Sequence, residues 1–479
     1  MERIRCKALQ NKIMSADEAA ALISPGSTIG VSGFTAVGYP KAVPMALAKR
    51  AEAGEDLHLT VIAGGNAGDQ ADGSLARSGA MARRYGFQGN KDLRRLINEG
   101  RVQYCDVHLS HVPYLIRNGY YGKIDVAILE VAGVREDGSL VSSCAAGILD
   151  VLAEYAEHII LEVNDRIPRE IEGFHDFFLL KRAPNTQIIP ITSAGDRIGS
   201  PYVSCDPSKV LAVVNTSLED TNANLKEPDK DMRKIASYII RFLKDEQKAG
   251  RLPDPLPPLQ SGVGGVANAV LEGIAASDLE NLSVYTEVMQ DAVLSLIDSG
   301  KVKHASGTAL TISPDRRQEV FKGLERYRGK IVIRSQEIAN SPEVIRRLSC
   351  IAMNTAIEVD LAGNVNSSHV NGTDIMNGVG GSGDYTRNSG LSIFTTLSTA
   401  KNGTVSCIVP HVGHVDQTEH DTEIIVTEQG LADLRGLTAY ERAEALIENC
   451  AHPKFREELR DYVARAKRSG GGLHAIKVL

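Results

Sequence analysis

The sequence predicts an α/β protein made of two similar α/β domains related by internal duplication. Three observations carry that expectation. Apolar strand-like runs alternate with helical runs along most of the chain, which is the pattern of parallel sheets with crossover helices. Each half contains a glycine turn followed by a helix, "GFTAVGYPKAVPMALAKR" (33–50) and "GVGGVANAVLEGI" (262–274). Short motifs also recur at one spacing: "LHLTVI" and "LSVYTE" begin at 57 and 282, "GSLVSS" and "GNVNSS" at 138 and 363, both 225 positions apart.

In chain order, a helix is predicted from Tyr39, with prolines in its first turn, and strands over "LHLTVIAGG" (57–65), "KIDVAILEVAG" (123–133) and "HIILEVN" (158–164). The stretch "PDKDMRKIASYIIRFLKDEQKAG" (228–250) reads as a helix, and the proline-dense "RLPDPLPPLQ" (251–260) as an extended segment. We therefore divide the chain into residues 1–225, a connector 226–260, and residues 261–479. "HIILEVN" pairs with "EIIVTEQG" (423–430) once an insertion around 377–415 is allowed for. Near the end, "AHPKFREELRDYVARAKRSGGG" is a charged amphipathic helix with a glycine stop, its charges a solvated face.

Composition excludes several function classes. The 479 residues carry 53 basic and 60 acidic side chains, a net charge of −7 with both signs interspersed, which argues against a nucleic-acid or membrane-surface protein. No run approaches the roughly 20 apolar residues that span a bilayer. The start has basic residues but no apolar signal core. Seven cysteines, odd in number and never in a C-x-x-C pair, suggest neither a disulfide framework nor a thiolate zinc site. The expected location is the cytoplasm, or a matrix from which a presequence has been removed.

The run Leu282 to Thr286 reads as a buried strand, and Glu287 follows it. At the 225-residue spacing Glu287 corresponds to Ile62, so one copy has a carboxylate where the other is apolar. The C-terminal ends of strands in open parallel sheets face the functional crevice. A solvated strand end, or an acid near the start of the helix beginning close to Gln290, is the alternative.

Other motifs also have an ordinary structural reading. "MNGVGGSGD" (376–384) contains a formal G-x-G-x-x-G, but it runs into the poor helix start "YTRNSG". "SGVGGVAN" (261–268) follows "PDPLPPLQ", which reads as no strand. A dinucleotide fold needs a strand before the turn and a helix after it. What such turns supply is unobstructed backbone N–H groups, and two aimed at one point make an oxyanion hole. His411, His414, Asp416 and His420 have metal-ligating side chains, but "VSCIVPHV" reads as a strand entering a loop and zincin spacing is absent; no metal ligand is assigned, and His108 and His111 are weaker still. No G-x-S-x-G elbow or Cys–His pairing is visible, which favours a carboxylate as the reacting group.

Six collinear blocks then resemble one family. "SGFTAVGYPKAVP", "LQSGVGGVANAVLEG", "YTEVMQD", "EIANSPEVIRRL", "MNGVGGSGDYTRNS" and "VTEQGLADLRGL" are similar to class I coenzyme A transferases of the acetyl-CoA hydrolase/transferase branch, which includes succinyl-CoA:acetate CoA-transferases. The resemblance runs in order from about residue 3 to 465 and implies an active site between the two halves. It implies that Glu287 is the nucleophile, that the backbone N–H groups of Val263 and Gly381 form the oxyanion hole, and that Asn340 assists. CoA is expected at Gly262, Val263, Gly264, Gly265, Val266, Asn377, Gly381 and Lys401, with Glu428 a supporting acid and the loop Gly33 to Pro40 on the carboxylic-acid side. The region 215–229 offers no clear basic anchor for the CoA phosphates.

The implied activity is transfer of CoA between small carboxylic acids such as acetate, succinate or propionate, through a covalent glutamyl-CoA thioester. CoA and acyl-CoA are substrates, and no permanently bound cofactor is expected. The alternatives are an acyl-CoA hydrolase of the same fold, in which water replaces the acceptor acid, and an inactive CoA-binding protein. A homodimer is the expected assembly.

Overall fold

The computed structural model describes residues 3–222, 227–262, 264–370, 372–469 and 472–473. Packing divides the chain into two units. One comprises Met1–Asn224, Val284–Ile297 and His304–Val344; the other comprises Leu225–Ser283, Asp298–Lys303 and Ile345–Leu479. Glu287 and Asn340, from the second half of the chain, therefore pack in the first unit.

The first unit is built on an eight-stranded sheet of β1 (Thr28–Val31), β2 (Leu59–Ala63), β3 (Met81–Tyr85), β4 (Gln103–Cys105), β5 (Ile124–Val134), β6 (Leu140–Ser142), β7 (Ala156–Asn164) and β8 (Val210–Thr216). Its order is β4-β3-β2-β1-β5-β7-β8, with β6 turned back antiparallel on β5. The other pairings are parallel, as expected for strands that alternate with helices. β5 shows why: ten of its eleven residues are buried, and such a run needs cover on both faces.

One end of this sheet is tied by an internal charge cluster. Lys41 and Glu130 are fully buried, and Lys41 Nζ is paired with Glu130 and with Asp220 at 2.8 Å, while it also donates to the Tyr39 carbonyl. Glu162, on β7, accepts from the backbone N–H groups of Lys41, Ala42 and Val43 at 2.7, 3.0 and 2.7 Å. Those are orphan donors at the start of the helix Ala42–Glu52, so a buried anion caps its positive end. Burial pushes the Glu130 carboxyl up, and Lys41 pulls the other way.

The second unit repeats part of the plan. Strands Leu259–Ser261, Ile351–Thr355, Leu391–Thr395 and Ile424–Thr427 are neighbours in that order and pair in parallel, the same succession as β1, β5, β7 and β8. A glycine turn and helix follow Leu259–Ser261, as they follow β1. The hairpin of β5 and β6 has its counterpart in the antiparallel pair Glu358–Asp360 and Val365–Asn366. The two-domain duplicated architecture is thus present.

Two details differ from the sequence reading. Leu259–Ser261 is a strand although prolines crowd up to Pro258, because the missing N–H groups end there and the next three residues pair with Ile351–Met353. By strand order, "EIIVTEQG" matches β8, and β7 matches Leu391–Thr395. Buried parallel strands are all Val/Ile/Leu-rich, so likeness of composition misaligned them. The connector helix runs Lys230–Lys248, with Asp229 accepting from the N–H groups of Asp231 and Met232 at 2.9 Å each. The last long helix, Pro453–Arg468, packs on a core that includes Leu446, Leu459 and Tyr462. Among the described residues no helix is long and apolar enough to cross a membrane.

Asp150, on the helix Leu149–Tyr155, gives a test of the first unit's interior. Burial pushes its carboxyl up to about 7, with Glu337 adding to the rise and the Val151 amide and Ser335 hydroxyl opposing it. A carboxyl raised above its unfolded value contributes stability that is present at low pH and lost as pH rises through about 7. The melting temperature of the wild type is expected to fall between pH 5 and pH 7 relative to Asp150→Asn and to level off above that, measured by scanning calorimetry; parallel curves would refute it.

Candidate active site

Glu287 lies two residues beyond the strand Leu282–Tyr285, whose side chains are mostly buried. Its own residue is only 8% exposed, so this is not a solvated strand end. Asn340 Nδ2 donates to Glu287 Oε1 at 3.2 Å. The Asn340 oxygen Oδ1 is buried with no hydrogen-bond partner among the described residues. A buried carboxylate beside a buried amide that holds one of its oxygens is an arrangement for presenting the other oxygen in a fixed direction.

The backbone beneath the carboxylate is pinned. The Glu287 carbonyl accepts from the N–H groups of Thr308 and Ala309 at 2.8 and 3.1 Å, and Thr286 N–H donates to the Ser306 carbonyl at 2.9 Å. Val288–Met289 pairs in parallel with Ala309–Leu310. Leu310 N–H donates to Cys144 O, Ala146 N–H to Thr308 O, and Gly147 N–H to the Thr308 hydroxyl. One threonine thus joins the Glu287 segment to the turn that ends the β5–β6 hairpin.

Asn340 ends the four-residue helix Gln336–Ala339, and its N–H donates to the Gln336 carbonyl at 2.9 Å. So short a helix cannot hold itself, and its position is set from outside. Gln336 N–H donates to Gly147 O and Gln336 Nε2 to Leu109 O, both at 2.7 Å. Glu337 forms a buried two-pronged ion pair with Arg117, one arm at 2.7 Å. The Tyr285 hydroxyl donates to Ile338 O at 2.6 Å, tying this helix to the strand that leads into Glu287.

The loop Gly33 to Pro40 packs against the same segment: Phe34 and Val37 share a small core with Leu109, Ala145, Val288 and Ala309. Phe34 and Val37 exchange two backbone hydrogen bonds of 3.0 Å across Thr35 and Ala36, whose φ values are +48° and +59°. That is a two-residue turn of the type that asks for positive φ twice, a strained choice for threonine. The Thr35 hydroxyl meets that of Thr311 at 2.8 Å. Gly38, at φ +65°, sits where a Cβ would lie 2.5 Å from Ser143 Oγ. Its N–H donates to Asp220 at 3.2 Å, which links the loop to the Lys41 cluster.

The remaining expected residues lie in the second unit. Val263 is outside the described residues. Gly262 N–H donates to Met353 O at 3.0 Å. Gly264 has φ +133° and ψ −179°, a conformation L residues rarely adopt, and as the N-cap of the helix Gly265–Ala276 it brings no side chain to cap it. The first N–H groups of that helix, Gly265 and Val266 among them, carry its positive end. Gly381 is buried and precedes the short helix Ser382–Thr386. Asn377 Oδ1 is buried without a hydrogen-bond partner among the described residues. Lys401 is exposed on the turn between the strands Thr399–Ala400 and Val405–Ser406, with φ +47°.

Glu428 accepts from Ser398 N–H at 2.8 Å, from the Ser398 hydroxyl and from Gln429 Nε2 at 2.8 Å. Burial pushes its carboxyl up, but these donors outweigh it and hold the group below its ordinary value. The seven cysteines are unpaired, and burial pushes the Cys144 thiol well up, so the thiol nearest Glu287 in the hydrogen-bond network is poorly suited to attack.

Sequence reasoning did not find Thr308, Gln336 or the Thr35–Thr311 contact. No local signal marks them, because each acts through a residue distant in the chain. The histidines also regroup. His411 Nε2 meets the Tyr462 hydroxyl at 2.6 Å and His420 is exposed, while His414 and Asp416 lie with His369.

The sequence profile of the acetyl-CoA hydrolase/transferase N-terminal domain matches residues 2–215, and that of the C-terminal domain matches residues 317–463. The chain is 47% identical to a succinyl-CoA:acetate CoA-transferase of Clostridium kluyveri, over 98% of this chain and 88% of that one. It is 40% identical to an acetyl-CoA hydrolase of Yarrowia lipolytica, over 97% and 92%, and 39% identical to a propanoyl-CoA:succinate CoA transferase of Escherichia coli, over 96% and 94%. Among solved structures, RipA from Yersinia pestis superposes with a TM-score of 0.75 at 26% identity, covering 97% of this chain and 98% of that one. Two profiles in the expected order, and relatives aligned along nearly the whole length, agree with the six blocks of motifs: the chain belongs to the acetyl-CoA hydrolase/transferase family.

Proposed function

We propose that the chain is an acyl-CoA:carboxylate CoA-transferase that moves CoA between small acids such as acetate, succinate and propionate. The observation that carries this reading is the buried Glu287 carboxylate, held at one oxygen by Asn340 and carried on pinned backbone. The 47% identity to a succinyl-CoA:acetate CoA-transferase supports transfer as the reaction.

In this mechanism a Glu287 oxygen attacks the thioester carbonyl carbon of the acyl-CoA. The C–S bond breaks, CoA leaves as thiolate, and an acyl-glutamyl anhydride remains. The thiolate attacks the glutamyl carbon and expels the acyl group as a carboxylate, leaving a glutamyl-CoA thioester. An incoming carboxylate runs the same steps in reverse, so the thioester bond is conserved. Negative charge grows on a carbonyl oxygen at each tetrahedral stage. We assign the backbone N–H groups of Val263 and Gly381 to that oxygen, where one well-aimed donor is worth roughly 3 kcal/mol. Asn340 orients the nucleophile, and the loop Gly33 to Pro40 lines the acid side. CoA runs along Gly262 to Val266, Asn377 and Lys401, with the Asn377 oxygen offered to a donor on it.

Hydrolysis is the second reading, supported by the 40% identity to an acetyl-CoA hydrolase. It differs in one respect: water, rather than a second carboxylate, takes the group from Glu287. Burial of the carboxylate favours transfer, since the anhydride and thioester survive only where water is excluded.

Mass spectrometry after mixing with acetyl-CoA or succinyl-CoA is expected to find a CoA adduct on the peptide bearing Glu287, discharged by added acetate or succinate. Thioester loss without adduct or acceptor would favour the hydrolase. Glu287→Ala is expected to lower kcat by at least about three orders of magnitude with the fold intact by circular dichroism; substantial residual transfer would remove Glu287 as nucleophile.

Asn340→Ala is expected to lower kcat about 100-fold with little change in KM for acyl-CoA, because it leaves the carboxylate in place but unoriented. An unchanged kcat would deny the amide a role. Gly38→Ala forces the loop off Ser143 and is expected to change the ratio of kcat/KM among acetate, propionate and succinate. Unchanged ratios would take this loop off the acid side.

A further inference from the structure

The second unit contains a cluster of polar side chains that the transfer reaction does not use. His369 starts a hairpin, His369–Val370 paired with Asp374–Ile375, that leads directly into the glycine turn at Asn377 to Gly381. Asp416 reaches this hairpin from the loop that follows Ile408–Val409. Its side chain is 3% exposed and accepts from Ser367 N–H at 2.7 Å, Ser368 N–H at 2.9 Å and the Ser368 hydroxyl at 2.7 and 2.8 Å. His414 Nε2 lies 3.3 Å from Asp416 Oδ1. The rings of His369 and His414 are 3.8 Å apart at their centroids, and one donor atom from each of His369, His414 and Asp416 lies within 4.8 Å of the others.

The hydrogen bonds order the protons. Ser368 Oγ has one proton and sits 2.7 to 2.8 Å from both Asp416 oxygens, which only accept, so that proton points at Asp416. His369 Nδ1 is 2.8 Å from the same hydroxyl oxygen and must therefore be the donor. His369 is fixed as the Nδ1–H tautomer, with its lone pair on Nε2. That is how a metal-ligating histidine is prepared, by a second bond that holds the ring and chooses the nitrogen. Asp416 is prepared in the same way by four donors, the N–H groups and hydroxyls of Ser367 and Ser368.

One pair also has the spacing of a ligand set, and the two rings, 3.8 Å apart at their centroids, must turn apart to bring both lone pairs to one ion. Two ligands at about 2.0 to 2.2 Å from a tetrahedral ion lie about 3.3 to 3.6 Å apart, the separation of His414 Nε2 from Asp416 Oδ1. Among the described residues the ion pair that Asp416 makes is with His414, so its nearly buried charge faces imidazole rather than lysine or arginine.

We infer that His369, His414 and Asp416 bind one late first-row transition-metal dication, Zn²⁺ by its preference for two imidazoles and a carboxylate in a four-coordinate shell, with water in the fourth position. The ion clamps the loop carrying His414 to the hairpin, whose Ser368 carbonyl accepts from Met376 N–H at 2.7 Å at the mouth of the glycine turn. Its role is to hold that turn in shape.

The test uses untagged full-length protein, stripped with a chelator and titrated with Zn²⁺ by calorimetry, and with Co²⁺ followed by visible absorbance. One ion per chain is expected. Its Kd should rise at least about 10-fold in His369→Ala and in His414→Ala, and Zn²⁺ should raise the melting temperature of the wild type but not of His414→Ala. His420→Ala, outside the cluster, is expected to bind as wild type. His414 is 41% exposed on its side chain, so its replacement leaves the fold intact and the comparison readable. Four-coordinate Co²⁺ shows intense visible bands, and only weak bands would overturn the geometry. No saturable binding, or binding unchanged in both histidine variants, would overturn the site.

Discussion

A buried carboxylate can be held in one direction only if the backbone beneath it does not move. Here that constraint is met at the Glu287 carbonyl, which accepts two amide hydrogen bonds from Thr308 and Ala309. The rest of the neighbourhood can be understood as support for that one point. Thr308 gives its hydroxyl and carbonyl to the turn at Ala146 and Gly147, the same turn takes the Gln336 amide, and Gln336 sets the short helix that ends at Asn340. Local hydrogen bonds alone would not stabilise a helix of four residues. It exists because its partners are already in place.

Rigidity of this kind has an energetic cost, and it shows in two places. Thr35 and Ala36 both occupy left-handed backbone, which costs of order 1 kcal/mol or more each where glycine would cost little. Lys41, Glu130 and Asp220 are taken out of water as charges, which is favourable only because they meet one another and the Tyr39 carbonyl. Removing one member would leave the others buried and unpaired, so the cluster makes the loop Gly33 to Pro40 hard to displace rather than merely stable.

Much of this was legible in the sequence, and the reasons are physical. The parallel α/β plan showed in the alternation of apolar runs. The stretch 228–250 was readable as a helix, and the structure has one over Lys230–Lys248. Glu287 stood out because a carboxylate ends an apolar run. What stayed hidden depended on long-range closure. Leu259–Ser261 looked too short and too near prolines to be a strand, and only its partner Ile351–Met353 makes it one. His369 lies 45 residues from His414, and nothing in the sequence says that Asp416 brings the two together. The strands "HIILEVN" and "EIIVTEQG" were paired by composition, which in buried parallel sheets carries almost no address.

The buried cap on the helix Ala42–Glu52 marks a difference between the two halves. Glu162 closes that helix's positive end with a carboxylate from β7, whereas the strand holding the equivalent place in the second unit, Leu391–Thr395, contains no acid. In the first unit the positive end of the helix is therefore met from within the fold, by one carboxylate shared among three amides, and that end is closed to any further anion. The strand of equivalent place in the second unit offers no such internal counter-charge.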